Sequence, residues 1–80
     1  MRLDKFLKVS RIIKRRTVAN EACDAARVTV NGRAAKASYE VRENDVLTIT
    51  LGARSLTVRV LSTKEITGKS DAAALYEVIE

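Results

Sequence analysis

The 80-residue sequence contains no histidine, no proline, no tryptophan and only one cysteine, Cys23. Without histidine, the usual zinc-binding spacings and the commonest general base are missing, which argues against a metal site and against an enzyme. One cysteine cannot form an internal disulfide, and we predict that Cys23 is a small buried hydrophobe. No proline or low-complexity tract divides the chain, so we expect one domain over residues 1–80 and no cofactor.

Aromatic residues and long apolar runs are also scarce. Phe6, Tyr39 and Tyr76 are the only aromatic residues, and we place Phe6 in the core, which leaves no platform for stacking successive unpaired bases. No stretch approaches the roughly 18 consecutive apolar residues of a membrane span. The N-terminus is charged from Arg2 onward, with no signal-peptide core behind it. These features predict a cytoplasmic protein without a membrane partner.

Positive charge is concentrated in the first half of the chain. Residues 1–36 hold ten basic and three acidic residues, whereas residues 37–80 hold five basic and seven acidic ones. Such asymmetry favours a polyanionic partner, because basic residues docked on phosphates release condensed counterions. A merely solvated basic face is the alternative, but solubility alone does not require the charges to be segregated.

Two short helices are predicted before residue 27. In the first, residues 2–9, three apolar residues share one face and three basic residues the other: Leu3, Phe6 and Leu7 against Arg2, Lys5 and Lys8. Residues 10–16 form a connecting turn whose isoleucines anchor it to the core. The second helix is predicted from Thr17, as N-cap, to Ala26. Its apolar face would comprise Val18, Ala19, Ala22, Cys23, Ala25 and Ala26, and its polar face Thr17, Asn20, Glu21 and Asp24.

From Val28 the hydrophobic period changes to two. Asn31-Gly32 is a strong signal for a type I′ hairpin between residues 28–30 and 33–36. A turn at residues 43–45 precedes a strand over 46–51 with Leu47, Ile49 and Leu51 on one face, and a turn at 52–55 precedes a strand over 56–60. We expect a loop at 63–71, a short helical turn at 71–74 capped by Ser70, and a return to the sheet at 75–79. The whole predicts an α+β fold in which two packed N-terminal helices cover a small, mostly antiparallel sheet of four to five strands.

The candidate functional residues lie mainly in the first helix and the turn after it. Arginine can hold two phosphate oxygens in its planar fork, so Arg2 and Arg16 rank above the lysines. The start of the second helix adds unpaired N–H groups and the positive end of the helix dipole, with Arg15, Arg16 and Thr17 around it. Glu21 and Asp24 on the exposed face of that helix argue against a helix-turn-helix reader of DNA. The carboxylates Glu40, Glu43 and Asp45 are interpreted as solvated surface.

Several of these segments resemble a known family. Arg2-Leu3-Asp4-Lys5-Phe6-Leu7, Arg16-Thr17, and Arg27 to Gly32 with Lys36 resemble the RNA-binding domain of ribosomal protein S4 type, the alpha-L motif, over residues 1–51, with 52–80 as an extension. The whole chain is similar to the short stand-alone members, the group of RqcP and heat shock protein 15. Two departures concern turns: Ala26 stands where the family usually has glycine and is less suited to a left-handed helix cap, and Glu43-Asn44-Asp45 replaces Pro-Gly-Asp, where asparagine preserves the turn.

The resemblance implies an RNA-binding factor for ribosomal RNA and tRNA, and we expect it to be a monomer and not an enzyme. It would act on stalled large ribosomal subunits in ribosome-associated quality control, stabilising peptidyl-tRNA while a partner protein elongates a tail. The alternatives are a ribosome-assembly or heat-shock RNA-binding factor, the detached module of an RNA-modifying enzyme such as a pseudouridine synthase, and a pure protein-interaction domain. Family and charge together give the RNA-binding candidates Arg2, Lys5, Lys8, Arg11, Lys14, Arg15, Arg16, Thr17, Arg33 and Lys36.

Overall fold

The computed structural model describes residues 1–64 and 75–79. These contain two helices, α1 (Leu3–Val9) and α2 (Arg16–Asp24), and five strands, β1 (Val28–Val30), β2 (Arg33–Ala34), β3 (Val46–Leu51), β4 (Arg54–Val60) and β5 (Tyr76–Val78). The strand order is β2-β1-β3-β4-β5, and every neighbouring pair is antiparallel. The predicted α+β fold, with two helices and an antiparallel sheet, is confirmed.

Helix α1 has the predicted amphipathic character. Leu3, Phe6 and Leu7 are fully buried, whereas Lys8 is exposed. The first turn of α1 donates two backbone hydrogen bonds to the segment after β2, from the N–H of Leu3 to the carbonyl oxygen of Tyr39 (2.8 Å) and from that of Asp4 to residue 37 (3.2 Å). Because this segment leaves the sheet to meet α1, β2 ends at residue 34. The predicted extension of this strand to Lys36 was wrong.

The connection between the helices keeps its isoleucines inward, as predicted, with Ile13 buried and Ile12 partly buried. The predicted start of the second helix was wrong: Arg15, in extended conformation, is the N-cap residue, and Thr17 already lies in the first turn. The side chain of Arg16 contacts Asp4 of α1, 12 residues earlier in the chain. This contact between the two helices stabilises Arg16 within the first turn. Local capping preferences could not predict it, because they consider only residues near the start of the helix.

Helix α2 buries a narrower stripe than predicted. Ala19, Ala22 and Cys23 are buried, but Val18 is 45% exposed, and residues 25 and 26 are exposed because the helix has already ended at Asp24. Ala26 adopts φ 58° and closes the helix with two hydrogen bonds, from its own N–H to the carbonyl oxygen of Cys23 (3.0 Å) and from the N–H of residue 27 to that of Ala22 (2.9 Å). This is a Schellman cap, formed with alanine in the left-handed position.

The hairpin between β1 and β2 has the predicted type I′ turn, with φ 52° at Asn31 and 84° at Gly32. The side chain of Asn31 donates to Asp45 (3.2 Å) and accepts from the N–H of Val46 (3.0 Å). Asp45 is 8% exposed and also accepts a hydrogen bond from the hydroxyl of Tyr39 (3.0 Å). The interpretation of Asp45 as solvated surface was therefore wrong, because this carboxylate joins the hairpin to the turn before β3.

The other two acidic residues of that group, Glu40 and Glu43, are exposed as predicted. The turn between them and β3 also forms as predicted, with Asn44 at φ 74°. Asparagine tolerates the left-handed region because its short polar side chain can hydrogen-bond locally. The replacement of glycine by Asn44 therefore leaves the turn intact.

Strands β3 and β4 form a hairpin that is longer than predicted. Leu51 pairs with Arg54, so only residues 52 and 53 turn the chain, and Gly52 has φ 62°. Leu47 and Ile49 are fully buried, whereas Leu51, which was predicted on the same face, is 42% exposed. Leu51 shares the face of Ile49 and lies at the end of the hairpin, beside the turn at residues 52 and 53.

The C-terminal return to the sheet is confirmed, since β5 pairs with β4 from Tyr76 to Val78. The predicted helical turn at 71–74 and most of the loop at 63–71 lie outside the described residues. Within residues 1–64 and 75–79, no helix is long and apolar enough to cross a membrane.

Candidate nucleic-acid interface

Two arginines from different elements meet at one carboxylate. Arg2 precedes α1 and Arg16 begins α2, and the side chains of both are about half exposed, at 49% and 47%. Arg2 donates from Nε to Oδ1 of Asp4 (3.3 Å) and from Nη2 to Oδ2 (3.4 Å). Arg16 approaches the same carboxylate with Nη2 at 3.5 Å from Oδ1 and Nε at 3.4 Å from Oδ2. We call Arg2 and Arg16 the arginine pair.

Asp4 itself is 2% exposed, although it is charged. It also accepts hydrogen bonds from the backbone N–H of Lys5 (2.8 Å) and from Nδ2 of Asn20 (3.3 Å). Burial alone would raise the pKa of Asp4, but hydrogen bonds from Asn20, Arg16, Lys5 and Arg2 outweigh it and hold the pKa below its usual value. The carboxylate is therefore ionised at neutral pH and attracts both guanidinium groups.

The start of α2 concentrates positive charge. Arg15 and Arg16 stand at the positive end of the helix dipole, there is no acidic residue in the first turn, and Arg15 makes no side-chain cap. Thr17 lies beside them and lines a shallow groove with Asp4, Arg16, Asn20 and Glu21. Positively charged side chains are unfavourable at the positive end of a helix dipole. An anion bound at this position would therefore be stabilised by both the dipole and the arginines.

A second groove, of about 730 Å³, runs along β2 and the segment after it. Arg33, Lys36, Ser38 and Tyr39 are among its lining residues. The groove adjoins the start of α1, because the carbonyl oxygen of Tyr39 accepts the N–H of Leu3. Burial and the hydrogen bond to Asp45 raise the pKa of Tyr39 above its usual value.

The described residues offer little for chemistry. Cys23 is 4% exposed, as predicted, and burial together with the nearby carboxylates of Asp4 and Asp24 raises the pKa of its thiol to about 11. Within residues 1–64 and 75–79, no group of three or more cysteine and carboxylate side chains is arranged to hold a metal ion. What the arrangement can do is attract and orient anions.

Comparison with known proteins decides the family. A family model described as the S4 domain matches residues 1–47, which is more than half of the chain. The chain belongs to the S4 domain family.

Two relatives carry the same name. The RQC P-site tRNA stabilizing factor of Streptococcus pneumoniae is 56% identical over 79 residues, covering 99% of this chain and 90% of its own, and that of Bacillus subtilis is 50% identical over 80 residues, covering 100% and 93%. A solved structure of heat shock protein 15 from Vibrio cholerae, described as trimeric, superposes with a TM-score of 0.89 at 29% identity and covers 98% of this chain and 80% of its own. The predicted resemblance to the stand-alone S4 proteins is confirmed.

This S4 domain distributes the ten predicted residues over two grooves and an exposed flank. Arg2, Arg16 and Thr17 lie around Asp4, with Lys5 as the next residue of α1, whereas Arg33 and Lys36 line the groove along β2. The others lie outside both groups, exposed in the last turn of α1 and in the connection to α2: Lys8, Arg11, Lys14 and Arg15.

Sequence reasoning missed the roles of two residues at this candidate site of the S4 domain. The sequence places Asp4 among the acidic residues and within the family motif but assigns it no role, and it assigns no role to Tyr39 either. A signal for Asp4 was present, because Arg16 and Asn20 are four residues apart in α2 and so project from the same face of the helix. An acidic residue on an element packed against that face would accept hydrogen bonds from both side chains.

Proposed function

We propose that this S4 domain protein is an RNA-binding factor that stabilises tRNA in the P site of large ribosomal subunits during ribosome-associated quality control. It would contact ribosomal RNA and peptidyl-tRNA on stalled subunits, in the cytoplasm and as a monomer, while a partner protein elongates the tail of the stalled chain. It would act by binding rather than by catalysis.

The observation that carries this proposal is the arginine pair at the surface, joined from two elements by the buried carboxylate of Asp4. Arginine side chains that are oriented and half exposed suit phosphate recognition, because the guanidinium presents a planar fork of donors. Such a surface favours structured RNA, which is recognised mainly by shape and backbone. The name shared by the relatives from Streptococcus pneumoniae and Bacillus subtilis supports tRNA in the P site as the target.

Salt dependence tests the RNA-binding part of the proposal. If about five phosphates are engaged, the logarithm of the affinity for tRNA or ribosomal RNA should fall with the logarithm of salt concentration at a slope of roughly −3.5 to −4.5. Fluorescence anisotropy at several salt concentrations gives this slope. A flat response would instead favour a protein-interaction domain, whose contacts do not release counterions.

A matched pair of arginine variants tests the location of the surface. Arg16→Ala should weaken RNA binding without unfolding the protein, since its side chain is 47% exposed. Arg59→Ala is the control: its side chain is 48% exposed and pairs with Glu77 across strands β4 and β5, on the sheet face opposite Val58. Both variants lose one positive charge, so equal losses of affinity would remove the special role of Arg16.

A pull-down from cells in which translation is stalled tests the ribosomal part of the proposal. With the intact protein as bait, we expect to recover large subunits that carry tRNA. Recovery of assembling subunits without tRNA would favour a ribosome-assembly or heat-shock factor, an alternative supported by the structural similarity to heat shock protein 15. Arg16→Ala and Arg59→Ala serve as the paired control in the same experiment.

A further inference from the structure

The two arginines use the same edge of their guanidinium groups to contact Asp4. The contacts are made by Nε and Nη2 of Arg2 and by Nε and Nη2 of Arg16, and they reach both oxygens of the carboxylate. A guanidinium has a second bidentate edge, formed by Nη1 and Nη2. Asp4 therefore fixes the orientation of both groups without using the Nη1 nitrogens.

The shared carboxylate also fixes how close the two groups are. Oδ1 of Asp4 lies 3.3 Å from Nε of Arg2 and 3.5 Å from Nη2 of Arg16. Two positive groups gathered around one point would repel each other and sample separate rotamers without the negative charge of Asp4. With it, both are held around one buried point while remaining half exposed to solvent.

We propose that the arginine pair forms one binding fork for an RNA phosphate group, and that Asp4 is the positioning residue that assembles it. This inference rests on the proposed function and adds the site at which one phosphodiester is held between elements α1 and α2. Asn20, which also donates to Asp4, stabilises the carboxylate from the second helix. Asp4 does not itself contact the ligand.

Simple electrostatics and the positioning role predict opposite changes in RNA affinity when the charge of Asp4 is removed. As a plain negative charge near RNA, Asp4 would weaken binding, so Asp4→Asn would raise the affinity. As the positioning residue, Asp4 orders the two long arginine side chains before RNA binds, so this ordering no longer reduces the binding free energy. Its loss should then lower the affinity for purified tRNA about tenfold, although the net charge of the protein increases by one.

Glu21→Gln is the matched control. Glu21 is exposed and lines the same shallow groove as Asp4 and Arg16, and the change removes one negative charge without touching the arginine pair. We expect its affinity for tRNA to be equal to that of the parent protein or higher. The inference is overturned if Asp4→Asn binds tRNA as tightly as the parent or more tightly.

Two further variants decide the matter if Asp4→Asn does not fold. Arg2→Lys and Arg16→Lys preserve charge but remove the planar fork, and each should lower the affinity for tRNA about fivefold. The double variant should lose much less than the product of the two single effects, because the fork fails once either arm is missing. Independent, multiplicative losses would contradict a shared site.

A spectroscopic measurement separates failure of the fork from failure of the proposed function. In the protein without RNA, the NMR signals of the two arginine Nε–H groups should be protected from solvent exchange, and Asp4→Asn or the partner Lys variant should remove that protection. Unprotected signals in the parent protein would refute the fork even if tRNA binds. Protected signals in a protein that does not bind tRNA would support the ordering of the arginine pair by Asp4 and refute the proposed function.

Discussion

The alanine that caps α2 gives a sharp test of backbone strain in this fold. Ala26 has φ 58° and follows a helix that ends at Asp24. In that left-handed conformation an L-residue with a Cβ atom is less stable than glycine, which adopts it freely. Ala26→Gly removes the clash and preserves both hydrogen bonds of the Schellman cap, because these use backbone atoms alone. We therefore expect the variant to be more stable than the parent protein.

The size of the effect follows from two opposing contributions. A residue with a Cβ atom loses roughly 1–2 kcal/mol in the left-handed region. Glycine loses about 0.5–1 kcal/mol through the greater freedom of the unfolded chain. The difference leaves a gain of about 0.5–1 kcal/mol, which corresponds to an increase in Tm of about 2–8 °C for a domain of this size.

The assay is thermal and urea unfolding of Ala26→Gly beside Ala25→Gly. Ala25 is the neighbouring alanine and has an ordinary φ of −85°, so glycine at that position should destabilise the fold by roughly 0.5–1 kcal/mol. The two substitutions are chemically the same and should differ in sign. A drop in Tm for Ala26→Gly, or shifts of the same sign in both variants, would refute the reasoning.

Three other predictions concern buried residues. Phe6→Ala should lower the free energy of unfolding by about 3–5 kcal/mol, since Phe6 is fully buried, and a shift below about 1 kcal/mol in urea titrations would contradict its place in the core. Because the pKa of Asp4 is lowered in the folded state, its contribution to stability is present at neutral pH and is lost as pH falls below about 4; Tm measured against pH should decline less steeply in that range for Asp4→Asn. Because burial raises the pKa of the Cys23 thiol to about 11, a thiol reagent at pH 8 should react slowly with the native protein and rapidly in denaturant, and equal rates would show an accessible thiol.

Features that depend on short-range geometry were predictable from the sequence. The type I′ turn at Asn31-Gly32 requires two residues that tolerate positive φ, and the sequence supplies them next to each other. The inward face of α1 follows from helical spacing alone, and it places Phe6 in the core. The family resemblance added the expected spatial arrangement of these elements relative to one another.

The errors arose where a distant part of the chain decides the outcome. Thr17 has the preferred chemistry of an N-cap, yet Arg16 is already in the helix and contacts Asp4 across the two helices. Asp45 follows two turn residues and was expected in solvent, but it is enclosed by Asn31 and Tyr39. These arrangements depend on which surfaces pack together, which periodicity does not specify.

The same limit applies to the candidate site. Charge segregation predicted a basic surface within residues 1–36, and arginine chemistry singled out Arg2 and Arg16. The spacing of Arg16 and Asn20 places both on one face of α2, but it does not identify Asp4 as their partner, because Asp4 and Arg16 are 12 positions apart and meet only when the helices pack. Acidic residues within basic surfaces therefore merit attention as organisers of neighbouring arginines.

The strand order provides a convenient attachment point for a probe. Strands β2 and β5 are opposite edges of the sheet, four strand spacings or about 19 Å apart. Ile79, which directly follows β5, is 48% exposed, whereas Cys23 is buried. A thiol-reactive dye would therefore label Ile79→Cys selectively, at the sheet edge remote from Arg33. The attached dye would report the tumbling of the protein without occupying the groove along β2.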